Sequence, residues 1–446
     1  MSATHRFVNA RVIDGLGNDP FNGTVTVRDG LIEGVEREPS AEPLSAHAQT
    51  EVVDLGGKTL MPGLIDAHCH VTLDEPHSND EMFFHRREGL GALIAAHNVQ
   101  KLIRAGVTSF FDADCLFDLG PDLRDAIEAG LVAGPRMATG GNALLTSVGG
   151  TAGALIPEAG RRGYAKVVRS RDEIVAEVRR QVKLGVDWIK VHVTGLIPRQ
   201  KARGEVQAWS FEELKLVCDT AHEVGIPVVG HCRNAGSIRD AVLAGFDMIL
   251  HGTFMDEQAL EVLIEHQVPV VPTFTFQANL RDFGDRVGAD PGLREIFARE
   301  IAESAEMLQR AYAAGVPLLC GTESGFSLTP YGEWHHRELQ IFVEELGMTP
   351  LQAIACGTSA CNIAMRLDHE VGAIRPGALA DLLVIDGDPI QDITVLGDKR
   401  AISQVWLGGV QQSLAPLPER RAVSGWRVSA YSSSKLFQHD AQDRSA

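Results

Sequence analysis

The chain has 446 residues and a formal net charge of −18. Both nucleic acid and an anionic membrane are bound through basic protein surfaces, so this charge argues against either partner. Hydrophobic residues make up 44% and charged residues 22% of the chain, values typical of a globular protein.

The sequence contains no evident targeting or membrane-spanning segment. The first residues lead directly into a strand-like stretch, and no run of about 18 apolar residues occurs. The cysteine count of 7 is odd and includes no Cys-x-x-Cys pair, which indicates buried, reduced thiols rather than a disulfide framework. We therefore expect a cytoplasmic protein.

Both ends of the chain have the alternating, turn-rich pattern of antiparallel strands. Residues 7–13 and 24–27 are each followed by an Asp-Gly or Asp-containing turn, and residues 371–385 and 402–409 return to the same pattern. The sequence predicts one small β-sandwich formed by residues 1–60 and 369–420. A polar tail is predicted at residues 421–446.

Between these ends, helical stretches alternate with short apolar strands. Each helix ends at a glycine, or once at a glutamine, and a strand follows at once. These junctions lie at 105–108, 132–135, 184–187, 224–227, 244–247, 266–269 and 314–317. With a first strand in the stretch 60–70, the pattern predicts an α/β fold with a (β/α)8 TIM barrel over residues 61–368. The chemistry of such a barrel lies at the C-terminal ends of its strands.

The first predicted barrel strand ends in His68-Cys69-His70. Side chains two residues apart on a strand share a face, so His68 and His70 point the same way and can bind one divalent ion. A single His-x-His is as often a pair of core or surface histidines. The later strand ends decide between these interpretations.

Later strand ends carry further side chains of metal-ligand type. Strand four carries Lys190, strands five and six end in His231 and His251, and strand eight ends in Glu323. A barrel brings these ends to one rim. Nitrogen and oxygen ligands suit zinc and its neighbours, and a site with an open coordination position suits hydrolysis.

The whole pattern resembles the amidohydrolase superfamily, in the branch of imidazolonepropionase and the prolidase-like dipeptidases. The segment Met-Pro-Gly-Leu-Ile-Asp-Ala-His-Cys-His at 61–70 resembles the first-strand motif of that family. The segment at 372–382, Gly-x-Ile-x-Pro-Gly-x-x-Ala-Asp-Leu, resembles its closing motif. The likeness extends over nearly the whole chain, to about residue 420.

The resemblance implies a centre of two divalent ions, expected to be zinc. His68 and His70 would hold the more buried ion, and His231 and His251 the more exposed one. Lys190 would bridge both ions as an N-carboxylated lysine, because a neutral amine can add CO2 and the resulting carbamate is a bidentate anion.

The sequence departs from the family at strand eight. The family keeps an aspartate there that binds metal and accepts a proton from the attacking water, whereas this chain has Glu323. The extra methylene displaces the carboxylate by about 1.5 Å. Glu323 therefore acts in the same catalytic role from a shifted backbone, or metal binding is altered.

Four residues are predicted to contact the substrate. His192 lies two residues after Lys190 on the same face, Phe274 and Phe276 follow strand seven, and Trp334 follows strand eight. The aromatic residues favour a substrate with an apolar or aromatic group next to the scissile bond. Further candidates stay open, namely residues 142–150, Tyr331, His335, His336 and, for a substrate carboxylate, Arg199, Arg203 and Arg233.

The leading hypothesis is a metal-dependent hydrolase of a C–N bond in a small molecule, such as an amide, dipeptide, urea or carbamate. A deaminase or cyclic-amide hydrolase acting on a heterocycle is an alternative, although the aromatic deaminases of the superfamily generally lack the bridging lysine. A non-catalytic scaffold member is a third hypothesis, but such relatives usually lose ligand histidines. We also expect a homo-oligomer.

Overall fold

The computed structural model describes residues 4–37, 50–76, 87–150, 156, 163–196, 205–289, 291–367 and 369–418. The described residues up to Leu414 belong to one compact unit, and those that follow belong to a second. None of the helices in these ranges combines the length and apolar composition that a membrane span requires. The predicted tail at 421–446 lies outside the described residues, and the predicted domain boundaries stay predictions.

The strands are short, and none in the described ranges exceeds the nine residues of the first. In chain order they are β1 (Thr4–Val12), β2 (Phe21–Arg28), β3 (Leu31–Arg37), β4 (Thr50–Asp54), β5 (Thr59–Pro62), β6 (Leu64–Cys69), β7 (Val107–Asp112), β8 (Arg136–Thr139), β9 (Leu144–Leu145), β10 (Lys166–Val167), β11 (Ile189–His192), β12 (Thr194–Leu196), β13 (Val206–Gln207), β14 (Val228–Cys232), β15 (Met248–His251), β16 (Val270–Val271), β17 (Leu382–Ile385), β18 (Ile402–Leu407) and β19 (Val410–Gln411).

The helices lie mainly between the parallel strands. They are α1 (Glu88–Ile103), α2 (Leu119–Glu128), α3 (Arg171–Leu184), α4 (Phe211–His222), α5 (Ala235–Ala244), α6 (Glu257–His266), α7 (Phe274–Val287), α8 (Pro291–Ala313), α9 (Arg337–Glu344), α10 (Pro350–Cys356) and α11 (Asn362–Met365), with short 3-10 turns at Ser359–Cys361 and Ile393–Gly397.

Strands from both ends of the chain share one mixed sheet of eight strands. Its order is β19-β18-β17-β5-β1-β2-β3, with β4 also paired to β1. The antiparallel pairing of β17 with β5 joins the two ends. The prediction of a β-sandwich is not confirmed, because the strands from the two chain ends form one continuous set of eight paired strands.

The strands that carry the predicted site are parallel and fall into two sheets. One has the order β6-β7-β8, and the other has the order β10-β9-β11-β14-β15-β16. The predicted eighth strand contributes only isolated bridges, from Leu318 to Val270 and from Ser324 to Cys69. The described residues therefore form no closed barrel, in contrast to the prediction.

Helix ends follow the sequence signals. The Ser170 side chain accepts a hydrogen bond from the Glu173 N–H, and Ser210 forms a complete capping box with Glu213. Helices α3 and α5 end at Gly185 and Gly245, which have left-handed φ values of 86° and 106°. Each helix therefore ends sharply, and the next strand begins two to four residues later with its C-terminal end at the rim of the site.

The strand registers bring the candidate residues together. In the parallel pairing of β11 with β14, His192 lies opposite His231. In the pairing of β14 with β15, Cys232 lies opposite His251. The C-terminal ends of neighbouring strands thus deliver their side chains to the same edge.

Candidate metal centre

His68 and His70 converge with Glu323 at the end of β6. The two Nε2 atoms are 3.1 Å apart. A carboxylate oxygen of Glu323 lies 2.9 Å from His68 Nε2, and its other oxygen lies 3.7 Å from His70 Nε2. Burial opposes ionisation, but the contacts with His68 and His70 hold the pKa of Glu323 well below its ordinary value. The structure thus brings an ionised carboxylate and two imidazoles into one cluster.

The backbone at Glu323 is held in a rare conformation. Glu323 has a left-handed φ of 57°, and His251 likewise has one of 69°. The Glu323 N–H donates to the carbonyl of His68 at 2.9 Å, and the Thr329 hydroxyl donates to the carbonyl of Glu323 at 2.7 Å. Left-handed non-glycine residues are costly and cluster at functional sites. This backbone, fixed on both sides, carries the longer glutamate side chain back to His68.

Glycine is required two residues earlier. A Cβ at Gly321 would lie 2.7 Å from the Cβ of His68 and 2.5 Å from a methyl group of Val271. The close approach of this segment to β6 therefore depends on Gly321, and it sets the position of Glu323.

His231 and His251 complete the set of four histidines. Their ring centroids are 4.3 Å apart, and the His251 and His68 centroids are 5.4 Å apart. The Nδ1 of His251 contacts the Thr273 hydroxyl at 2.6 Å, whereas its buried Nε2 has no hydrogen-bond partner among the described residues. Donor atoms of His68, His251 and Glu323 all lie within 4.8 Å of one another. An unpartnered buried nitrogen facing such a set fits a divalent ion.

Lys190 lies on β11 and is only 1% exposed. Among the described residues it forms no ion pair or hydrogen bond. Burial lowers the pKa of its amine, and the charges of Asp114 and Glu323 oppose that effect only in part. A larger fraction of the Lys190 amine is therefore neutral than in an exposed lysine, and the neutral amine is the form that can react with CO2.

Asp114, which sequence reasoning missed, holds two of the histidines. One of its oxygens is 2.7 Å from His70 Nδ1, and the other is 3.0 Å from His192 Nε2. Burial works against a charged His70, but Asp114 and Glu323 together outweigh it and raise the pKa of His70 to about 10. The sequence Phe-Phe-Asp-Ala-Asp at 110–114, at the end of β7, indicated Asp114 as a site residue, because it places alternating carboxylates at a strand end.

Glu205 was missed as well and holds a third histidine. Its carboxylate is 2.7 Å from His231 Nε2 and accepts a hydrogen bond from the Thr194 hydroxyl at 2.9 Å. Burial opposes ionisation, but the contact with His231 and the charge of Arg233 lower the pKa of Glu205 to about 2. Burial lowers the pKa of His231 to about 4, so this imidazole is neutral. Glu205 precedes β13, away from any parallel strand end, so no periodic signal pointed to it.

A second cluster of possible metal ligands lies beneath the site, formed by Asp66, Cys69 and His335. It is already satisfied internally. Asp66 accepts hydrogen bonds from the backbone N–H groups of His68 and Thr322, from the Thr322 hydroxyl, and from His335 Nδ1 at 2.7 Å. His335 Nε2 accepts from the backbone of Gly332 at 3.0 Å. His335 is thus part of a supporting network and not a free contact for substrate.

Two of the predicted substrate contacts lie close to the metal-type residues. His192 stacks on His231 with centroids 5.0 Å apart. Phe276 is half-buried and packs on Phe326 at 5.6 Å, which in turn meets the His70 ring at 5.9 Å. Phe326 thus links the predicted aromatic side chain to the site, although it was not among the residues predicted from the sequence.

The other predicted contacts lie elsewhere. Phe274 is fully buried in the hydrophobic core, so the structure does not bring it to the rim. Trp334 packs on Phe283 at 5.4 Å and beside His336. Arg233 is paired with Glu300 and Glu205 and is therefore already neutralised. Arg199 and Arg203 lie outside the described residues.

With this geometry in place, comparison with known proteins identifies the family. The Amidohydrolase family matches residues 59–411 of the chain. The chain belongs to the Amidohydrolase family. An ochratoxinase of Aspergillus niger is 27% identical over 426 residues, covering 89% of this chain and 84% of that protein. The alignment with its crystal structure covers 92% of this chain and 95% of the ochratoxinase chain, with a TM-score of 0.79 and 25% identity.

Two further relatives represent the branch expected from the sequence. The crystal structure of a Xaa-Pro dipeptidase with bound methionine is 27% identical, covers 92% of this chain and 100% of its own, and has a TM-score of 0.78. An imidazolonepropionase of Aeromonas hydrophila is 23% identical over 401 residues, 85% of this chain and 89% of that protein. The predicted family is thus confirmed, with a TIM-barrel-type α/β fold. The protein is a hydrolase of amide-type C–N bonds, and its family is generally metal-dependent.

Proposed function

We propose that the protein hydrolyses an amide-type bond in a small molecule, using two divalent ions, with zinc as the expected metal. His68 and His70 would hold one ion, and His231 and His251 the other. The observation that carries this proposal is the convergence of His68 and ionised Glu323 on Nε2 of His251, which has no hydrogen-bond partner among the described residues, with His70 beside Glu323. The ochratoxinase and dipeptidase relatives support the reaction class.

Bound divalent ions would lower the pKa of a water molecule and polarise the scissile carbonyl. The chain must move the proton. An amide nitrogen leaves poorly as an anion, so a base has to take a proton from the attacking water and return it to the leaving nitrogen. Glu323 is ionised and lies beside His68, which suits it to accept that proton and then donate it.

Lys190 is proposed as the N-carboxylated bridge and a ligand of both ions. Its burial and its lack of an ion partner among the described residues favour the neutral amine that adds CO2. Replacing Lys190 with alanine should remove bound metal and activity together, because the bridging anion is lost. Elemental analysis and an amidase assay measure both, and added short-chain carboxylates should restore part of each. A variant that keeps two ions and native turnover would refute the bridge.

The proposed substrate has an apolar or aromatic group next to the scissile bond. Phe276 and Phe326 form a half-buried aromatic surface that continues from the ring of His70. A panel of N-acyl amino acids, dipeptides, anilides, ureas and carbamates, assayed before and after chelation, tests the reaction and the substrate class together. Turnover confined to small polar heterocycles would favour the deaminase or cyclic-amide hydrolase instead.

Phe276→Ala should lower kcat/KM for aryl amides by about 10- to 100-fold, since burial of a large aromatic group contributes roughly 1.5–3 kcal/mol. It should change short alkyl amides much less. Phe283→Ala is the matched control, because Phe283 packs on Trp334 in a separate aromatic pair. Equal losses for both substrate types would contradict an aromatic subsite at Phe276.

A further inference from the structure

Glu205 reaches the site from outside the parallel strands. It precedes β13, which pairs with β12, the short strand that follows β11. Its side chain is only 14% exposed, and its carboxylate lies 2.7 Å from His231 Nε2. A carboxylate from a connecting hairpin therefore meets a candidate ligand on β14.

The position of this carboxylate is fixed by partners other than His231. The Thr194 hydroxyl donates to it at 2.9 Å, and Arg233 Nε lies 3.7 Å from its second oxygen. The side-chain amide of Asn234 donates to the backbone carbonyl of Glu205 at 2.6 Å. Arg233 is held in turn by buried Glu300. Glu205 is thus preorganised, so it can impose an orientation on the imidazole.

A neutral imidazole has one donor and one acceptor nitrogen. When one ring nitrogen donates to a carboxylate, the other keeps its lone pair for a metal, and the carboxylate fixes the orientation of the ring. His251 is held at Nδ1 by Thr273, so its Nε2 is the open nitrogen. His231 is held at Nε2, which leaves Nδ1 as its open nitrogen.

We propose that Glu205 is the positioning residue of His231: it accepts the Nε2–H, fixes the ring and presents Nδ1 toward the second ion. This inference rests on the proposed function only in assuming that His231 holds an ion. It gives the hairpin β12–β13 a role in the metal centre, and it assigns Arg233 to orienting Glu205 rather than to binding a substrate carboxylate.

The first arm of the test uses the metal-free protein. In 15N-histidine-labelled protein, the wild type should show a slowly exchanging, downfield Nε2–H proton that disappears in His231→Asn, which assigns it. Glu205→Ala should remove the slow exchange, and Glu212→Ala, an exposed glutamate on α4, should leave it intact. Persistence of the protected proton in Glu205→Ala would overturn the proposal.

The second arm measures metal affinity by competition with a chelator and by the visible spectrum of the cobalt-loaded protein. Glu205→Ala should weaken one of the two ions by about 10- to 100-fold and leave the other unchanged. Glu205→Gln keeps the shape with a neutral acceptor, so its loss should be smaller, and it serves if the alanine variant does not fold. Equal weakening of both ions, or of neither, would contradict the assignment. If the wild type binds no divalent ion, the proposed function fails, and the proton measurement alone decides the role of Glu205.

Discussion

The two pairs of histidines in the site are supported by different kinds of element. His68 lies on β6 and His70 directly follows it, and their supports, Asp66 and Asp114, come from β6 itself and from the residues just after neighbouring β7. His231 and His251 lie on two strands. Their supports are a hairpin carboxylate, Glu205, and a hydroxyl that precedes helix α7. One pair is thus held by the parallel strands and the other by the segments that connect them.

This difference distinguishes a histidine pair supported by the strands of the sheet from a pair supported by connecting segments. Asp66 joins the backbones of His68 and Thr322 and also accepts two side-chain hydrogen bonds, so the first pair belongs to a buried network that extends to the residues after Leu318. Each pair retains one buried ring nitrogen without a hydrogen-bond partner among the described residues, Nδ1 of His68 in the first pair and Nε2 of His251 in the second. Changes at the first pair should affect the whole site, whereas changes at the second should affect one ion.

The largest effect is expected at Glu323, which contacts the first pair. Glu323→Gln is nearly isosteric but cannot accept a proton, so turnover should fall by about 10³-fold while the fold and most of the metal are retained. Steady-state kinetics with metal analysis on the same samples measure both. Because the loss is in proton transfer, it should appear in kcat more than in KM.

Two results bear on this assignment. Glu323→Asp restores the residue usual in the family, yet it shortens the reach from a left-handed backbone built for glutamate, so we expect impaired turnover. Near-native turnover of Glu323→Gln would falsify the role of Glu323 as base and direct attention to His192.

Asp114 should give the next largest effect, and a comparison with Glu205 sharpens the contrast between the pairs. Asp114→Asn removes the charge that holds both His70 and His192, so metal affinity should fall by about 10- to 100-fold. Because His192 stacks on His231, this variant should weaken both ions, unlike Glu205→Ala. Chelator competition distinguishes these outcomes. Asp122→Asn, an exposed aspartate on α2, is the control, and a loss confined to one ion would contradict the shared role.

The same contrast explains how much the sequence predicted. The family and the hydrolase class followed from the motifs at 61–70 and 372–382, which resemble those of the amidohydrolases. The convergence of His68, His70, His231, His251 and Glu323 followed from strand-end positions, because alternating apolar strands have a readable period and their ends share one edge. Asp114 was readable by the same rule and was overlooked. These features depend on backbone geometry that the pattern of the sequence encodes.

The remaining features depend on long-range contacts that no period encodes. Glu205 meets His231 only because a hairpin folds back over β14. Phe274 and Phe276 are two residues apart, yet the first lies in the core and the second is half-buried, since a helix starts at Phe274 and turns them to different sides. The β-sandwich prediction is not confirmed, because the alternating pattern of the strands indicates pairing but not the number of sheets.

The smallest predicted effect concerns the support of the second pair by Glu338. This fully buried carboxylate accepts hydrogen bonds from the backbone N–H groups of Phe274 and Thr275 at 2.9 and 2.8 Å and from the Thr275 hydroxyl at 2.6 Å. It thereby holds the start of α7 next to Thr273, the partner of His251. Burial raises the pKa of Glu338 from 4.5 to about 8, although these hydrogen bonds oppose the shift.

A pKa that is higher in the folded than in the unfolded chain means that the folded state binds the proton more tightly between the two values. The resulting stabilisation is complete below pH 4.5 and is lost as the pH rises through about 8. Denaturant midpoints should therefore fall more for the wild type than for Glu338→Gln between these two pH values. Glu344→Gln is the control, because Glu344 is exposed on α9, the helix that carries Glu338, and it should behave like the wild type. If the denaturant midpoint changes equally with pH in the wild type and in Glu338→Gln, Glu338 is already ionised in the folded protein. The start of α7, and with it the Thr273 contact to His251, would then be held by a charge that does not change across this pH range.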